Sequence, residues 1–151
     1  MRMRAVLCKS WGGPRDLVVD SVPVPEPGPG QVRLAVRAAG LNFADTYFRT
    51  GLYPAPLPSG IGVEAAGVIE SVGPDVAGFA AGDRVAYTGS PLGAYSTERV
   101  MPIDSLVKLP TEIPFETAAA MMMRGFTCSY LLRRIYPLKA GDTVLLHAAA
   151  G

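Results

Sequence analysis

One histidine, two cysteines and no long apolar run narrow what this chain can do before any motif is read. Cys8 and Cys128 stand far apart, no Cys-x-x-Cys occurs, and His147 has no second histidine for a relay, so no residues carry metal-ligand spacing. Two buried thiols in a reducing compartment are the expectation for the cysteines. No stretch approaches the roughly 18 apolar residues of a membrane span, and the basic start MRMRAVLCKSWGG has too short an apolar run for a signal-peptide core. No membrane partner is expected, and the cytoplasm is the default location. Charge of one sign is also missing. The formal net charge is +1 with acids and bases interspersed, which removes the basic stripe that nucleic acid would require.

What is present is a turn-rich chain of 151 residues, 49% hydrophobic, whose 17 glycines and 14 prolines fall between short apolar runs. Alternation predicts half-buried strands over Met3–Cys8, Leu17–Val22 and Val32–Ala39, with PVPEPGPGQ at 23–31 as a rigid turn. A short helix is expected over Phe43–Thr50, stopped by Gly51, and then an extended ordered loop imposed by Pro54, Pro56 and Pro58. Strands resume over Gly62–Val72, where Gly67 marks a bulge or close backbone approach, and over Arg84–Tyr87, Ala94–Met101 and Leu106–Lys108. Ala-Gly-Asp occurs at 81–83 and 140–142, and reads as shared turn chemistry ahead of a strand. After Pro114 the texture becomes Ala/Met/Leu-rich, predicting one or two helices broken near Gly125, with Met121, Met122 and Met123 as core filler and Arg133 and Arg134 in solvent. A domain boundary is placed there: a β-rich unit over 1–113, then the start of an α/β unit over 114–151 whose first strand is Thr143–Ala149. His147 on that strand reads as packed and neutral.

The segment Asn42–Pro54 sets one amide, one carboxylate and two phenols on a turn and short helix, beside a strand carrying Glu64. That is the polar inventory of a pocket. Read without further context, Asn42 could hold the turn ahead of the helix, Asp45 could orient the loop, and Tyr47 and Tyr53 could be core aromatics with satisfied hydroxyls. Thr127 could bond its own helix backbone. Glu64 on an apolar strand needs a partner, and reads as an ion pair or hydrogen-bonded clamp ahead of a catalyst.

Taken in order, NFADTYFRTGLYP, GIGVEAAGVIESVG, AGDRVAY, GAYSTERV, RGFTCSYLL and KAGDTVLLHAAAG closely resemble the quinone oxidoreductases, the zinc-free branch of the medium-chain dehydrogenase/reductase superfamily. The resemblance implies a mainly β fold with α: a GroES-like β-barrel catalytic domain, then the first helix and strand of an incomplete Rossmann domain. It implies hydride transfer from NADPH to a small-molecule quinone without a metal, in a homodimeric protein about twice as long, of which this chain would be an amino-terminal portion inactive alone. The three positions that hold catalytic zinc in the metal-dependent relatives are occupied by Asn42, Val63 and Arg124, which cannot replace Cys and His ligands. By the same resemblance Asn42 meets the nicotinamide ribose, with Asp45 beside it, Thr127 meets the nicotinamide carboxamide, and Tyr47 and Tyr53 face the quinone as ring platforms and proton donors. Loss of zinc suits a quinone, since hydride addition yields a phenolate-like anion whose acid has a pKa of about 10, within reach of hydrogen-bond stabilisation. Two other readings stand beside it: an enoyl or alkenal reductase of the same superfamily, and a non-catalytic β-barrel module that self-associates through apolar edges from Pro114 onward.

Overall fold

The computed structural model describes residues 2–147. Eight strands and two α-helices follow in order: β1 Arg2–Cys8, β2 Leu17–Pro23, β3 Gln31–Ala39, α1 Ala44–Thr50, β4 Ser59–Gly60, β5 Glu64–Val72, β6 Arg84–Thr88, β7 Glu98–Pro102, β8 Leu106–Lys108 and α2 Phe115–Tyr130. They build two antiparallel sheets, β2-β1-β4 and β7-β3-β5-β6-β8. The mainly β class agrees with expectation, but the two sheets do not close into a barrel. They are stitched by Tyr95–Thr97: Val6 N–H donates to Tyr95 O (2.8 Å), Thr97 N–H to Arg4 O (2.9 Å) and Val36 N–H to Thr97 O (3.0 Å).

Alternation on β3, β5 and β6 turns Val32, Leu34, Ile69, Val85 and Tyr87 into one core, closed by Met101 and Leu106. The far face of the same strands presents Ala66 and Ala86, small enough for Ala118 and Ala119 of α2 to pack against them. Arg84 fastens the approach to that helix, donating to Pro110 O (3.1 Å), Thr111 O (2.7 Å) and Ile113 O (2.7 Å), with its guanidinium 4.4 Å from the Phe115 ring centroid.

Several local expectations need correction. Gly125 does not break α2, which runs on to Tyr130 and ends in a wider π turn over Leu131–Ile135, because glycine in a helix interior costs only about 1 kcal/mol. The strand expected from Ala94 begins at Glu98, since Gly93, Ala94 and Tyr95 spend their N–H groups on the loop carbonyls of Gly62 and Ile61. Thr143–His147 form no strand; a buried strand needs a ladder partner, and among the described residues none lies there, so Val144, Leu145 and Leu146 are exposed. Ala148 and Ala149 of that expectation fall outside the described residues. His147 is exposed instead of packed, and of the two cysteines expected in the core only Cys8 is there while Cys128 is exposed. Met122 packs as filler against the alanine cluster between α2 and the sheet, but Met121 is half exposed.

The two Ala-Gly-Asp segments make one and the same turn. Asp83 Oδ2 accepts from Ala80 N–H (2.9 Å) and Asp142 Oδ2 from Lys139 N–H (2.8 Å), each beside a glycine at φ +94°.

Gly67 sits where β5 presses on β3: a Cβ there would stand 2.1 Å from the Ala35 carbonyl oxygen, in a ladder whose register shifts between Val36 and Ala38. Both strands are pinned by core side chains, so neither can withdraw freely. Gly67→Ala is expected to lower unfolding free energy by about 1–3 kcal/mol. Urea unfolding checks it, the midpoint moving down with the slope unchanged.

Candidate functional site

The site is organised by a carboxylate that never meets solvent. Glu64 begins β5 and is fully buried; its Oε2 accepts from Asn42 Nδ2 (2.7 Å), its Oε1 from Met123 N–H (2.7 Å), and its backbone oxygen from Gly40 N–H (2.9 Å). One residue thus joins the end of β3 through its backbone, and the loop before α1 to the middle of α2 through its side chain. Gly40 makes the approach possible, for a Cβ there would meet Ala119 O at 2.1 Å and the Glu64 carboxylate at 2.5 Å. The clamp expected of Glu64 is present, with hydrogen bonds in place of an ion pair.

The clamp decides how Asn42 presents itself. A carboxylate only accepts, so the Asn42 NH₂ must turn to Glu64 and the amide oxygen is left for the adjoining space. Asp45 supports this from behind: its Oδ2 accepts from Asn42 N–H (2.9 Å) and from the Tyr95 hydroxyl (2.5 Å). Asp45 is 4% exposed; it holds the main chain of Asn42, and with Asn42, Phe43 and Tyr95 it lines a smaller hollow of about 240 Å³ beside the cleft shared by Asn42 and Thr127. Burial, and then the Asp45 carboxylate that would face a phenolate, push the Tyr95 hydroxyl far above the ordinary tyrosine range.

Asn42 opens on a cleft of about 360 Å³ whose other walls include Phe43, Met123, Arg124, Thr127 and Cys128. Thr127 Oγ1 donates to Met123 O at 2.8 Å, one helical turn back, which leaves its lone pairs turned outward as acceptors. Asn42 and Thr127, 85 positions apart in the chain, therefore offer two oriented acceptors to one space. Arg124 guards the rim, donating to Ala120 O (2.8 Å) and Leu41 O (3.3 Å). Tyr47 and Tyr53 do not line this cleft. They form an edge-to-face cluster beside it, ring centroids 5.1 Å apart, reached through Phe43, whose ring centroid is 5.4 Å from that of Tyr47. Their hydroxyls make no hydrogen bond among the described residues.

Two participants escaped the sequence reading. Tyr95 lies inside the quoted GAYSTERV, but nothing in its spacing signals that it reaches Asp45, 50 positions away. Arg124 registered only as a group unable to bind zinc, whereas its helical position places a fixed positive charge on the cleft. Among the described residues no group of three or more His, Cys, Asp or Glu side chains converges as a metal site.

Asn42→Asp sets a second carboxylate against Glu64 in a buried place. It is expected to cost about 3 kcal/mol near neutral pH, more than Asn42→Ala. The introduced acid holds a proton more firmly folded than unfolded, so the lost stability returns as pH falls toward 4 and disappears again as pH rises. Denaturant unfolding of the two variants at pH 5 and pH 8 reads this directly. For the unchanged chain, Tyr95 keeps its proton in the folded state above the unfolded value of 10, so folding stability falls as pH rises past about 10. Tyr95→Phe should flatten that alkaline limb, leaving the smaller contribution of the buried Tyr87 hydroxyl, raised by burial despite the nearby Arg99.

Comparison with known proteins sets this geometry in a family. The alcohol dehydrogenase GroES-like domain model matches residues 28–111. A quinone oxidoreductase of Pseudomonas aeruginosa is 55% identical over 143 residues, covering 94% of this chain and 44% of the relative. A 2-haloacrylate reductase of a Burkholderia species is 48% identical, covering 100% of this chain and 47% of the relative. Among solved structures, the Escherichia coli quinone oxidoreductase complexed with NADPH superimposes with a TM-score of 0.88 at 43% identity, covering 90% of this chain and 42% of that one. The chain spans less than half the length of these relatives. With more than half of its residues matched to the family model and the fold reproduced around them, the chain belongs to the GroES-like domain family of the alcohol dehydrogenases.

Proposed function

We propose that the Asn42–Thr127 cleft receives the nicotinamide end of NADPH and that the protein carrying this chain reduces a quinone without a metal. The observation that carries this reading is the pair of outward-facing acceptors on one cleft. A nicotinamide riboside is rich in matching donors: ribose hydroxyls suit the Asn42 amide oxygen, and the carboxamide NH₂ suits Thr127 Oγ1. The volume suits that end of the molecule alone, so the remainder must be held by other surfaces. NADPH, when bound, supplies a hydride.

This chain's own residues supply placement and charge. Asn42 and Thr127 set which face of the ring is presented, a positioning effect of the kind that carries much of a bimolecular reaction's barrier. Arg124 brings positive charge to the rim, where an acceptor gaining a hydride becomes a phenolate-like anion. Tyr47 and Tyr53, with free hydroxyls and flat faces, are the proton donors and ring platform next to it. The similarity to a 2-haloacrylate reductase favours a second reading of the same chemistry, with a conjugated carbon–carbon double bond as acceptor.

In the protein that carries this chain, Asn42→Ala and Thr127→Ala are each expected to raise the KM for NADPH about tenfold, the value of one well-made polar contact of roughly 1.4 kcal/mol. Steady-state oxidation of NADPH with 1,4-benzoquinone, and in parallel with 2-chloroacrylate, gives the KM and ranks the acceptors. Unchanged NADPH kinetics in both variants would remove these residues from the cofactor site, and absent turnover with either acceptor would remove the reaction.

A further inference from the structure

A second concavity lies away from the Asn42 cleft. It is a groove of about 400 Å³ at the seam between the two sheets, on the outer flank of β3 where β7 no longer covers it. Much of its wall is apolar: Val6 and Val19 come from the first sheet, Val36, Ala38 and Ala39 from β3, and Ala94 from just before the stitching segment, whose Tyr95, Ser96 and Thr97 complete it. Two guanidiniums, Arg4 and Arg37, stand on its lining, and no Asp or Glu does. Among the described residues neither makes an ion pair or a side-chain hydrogen bond, whereas Arg33, on the same strand as Arg37, faces Glu26, Glu70 and Glu98. The Thr97 hydroxyl accepts from Arg4 N–H (3.1 Å) and donates to no acceptor among the described residues. The groove therefore carries positive charge and hydroxyl groups over a largely apolar floor.

We propose that this groove binds a small anionic molecule with an apolar body, such as an aromatic carboxylate, its acid group between Arg4 and Arg37 and its ring on Val19, Val36 and Ala38. Three facts select that class. Guanidinium forks match a planar carboxylate in shape and charge, and a free hydroxyl donor beside them adds a third contact. The Val and Ala lining offers nothing to a polar body but gains from covering by a flat apolar one. The volume falls within the range of small-molecule sites. A nucleic acid or polyphosphate would find only two positive charges on the lining of an apolar trough, too few to hold it. The inference is independent of the cofactor reading, since none of its donors lines the Asn42–Thr127 cleft.

Titration of the chain with 1-naphthoate, followed by amide and methyl NMR, tests it, with the neutral 1-naphthalenemethanol as control. The expected result is saturable shifts centred on Val19, Val36, Ala38 and Thr97. Binding should be at least tenfold weaker for the neutral alcohol and for the Arg4→Gln/Arg37→Gln double variant, and weaker in 0.5 M NaCl than in 0.05 M. Both substituted residues are exposed, and unchanged amide spectra of the free double variant would show that it folds. Overturning results are shifts that centre elsewhere, equal affinity for the alcohol, indifference to the double substitution, or no saturation by 10 mM.

Discussion

A buried carboxylate governs this structure. Glu64 receives a side-chain amide from the loop before α1 and a backbone N–H from the middle of α2, and its own backbone oxygen receives Gly40 N–H. Removed from water, such a group is costly unless every acceptor is used, and one used in this way makes its partners' positions interdependent. A glutamine would donate from half of its head group, so Asn42 would have to turn its amide oxygen inward to meet it. The glycine opposite and the alanines of β5, β6 and α2 are consequences: they let helix, sheet and loop come close enough to share one side chain.

The functional reading follows from that arrangement. Glu64 touches nothing in the cleft, yet it sets which end of the Asn42 amide a ligand would meet. Asp45 and Tyr95 hold the same loop from the other side, so the orientation is fixed through both the side chain and the main chain of Asn42. α2 contributes Arg124 and Thr127 to the cleft because its alanine face is spent on the sheet. A site assembled in this way has preorganised acceptors and one cation, a set suited to orienting a donor-rich ring and stabilising an anion that forms beside it.

Much of the fold was legible because its signals are local. Alternation placed β1, β2, β3, β6 and β8 within a residue or two, Gly51 ended α1 in the left-handed conformation at φ +80°, and Gly67 marked a close approach. The misplacements came where distant partners decided. Nothing near Ala94 says that its N–H goes to the Gly62 carbonyl, and nothing in the apolar run after Asp142 reveals whether a neighbouring strand pairs with it. Among the site residues, Asn42 and Thr127 were singled out by resemblance to a family. The direction in which each presents its oxygen came from contacts alone.

The amino-acid sequence by itself determined a β-rich chain with an amide, a carboxylate and two phenols on one short turn-and-helix, and only one histidine and two widely separated cysteines. Only the tertiary structure decided that Asn42 is held by Glu64, that Thr127 arrives on the same cleft, that Tyr95 reaches Asp45, and that the tyrosines stand beside the cleft instead of on it. The reason is range: alternation, caps and turns are settled between residues a few positions apart, whereas a hydrogen bond across 22 or 59 positions exists only after sheet and helix have packed.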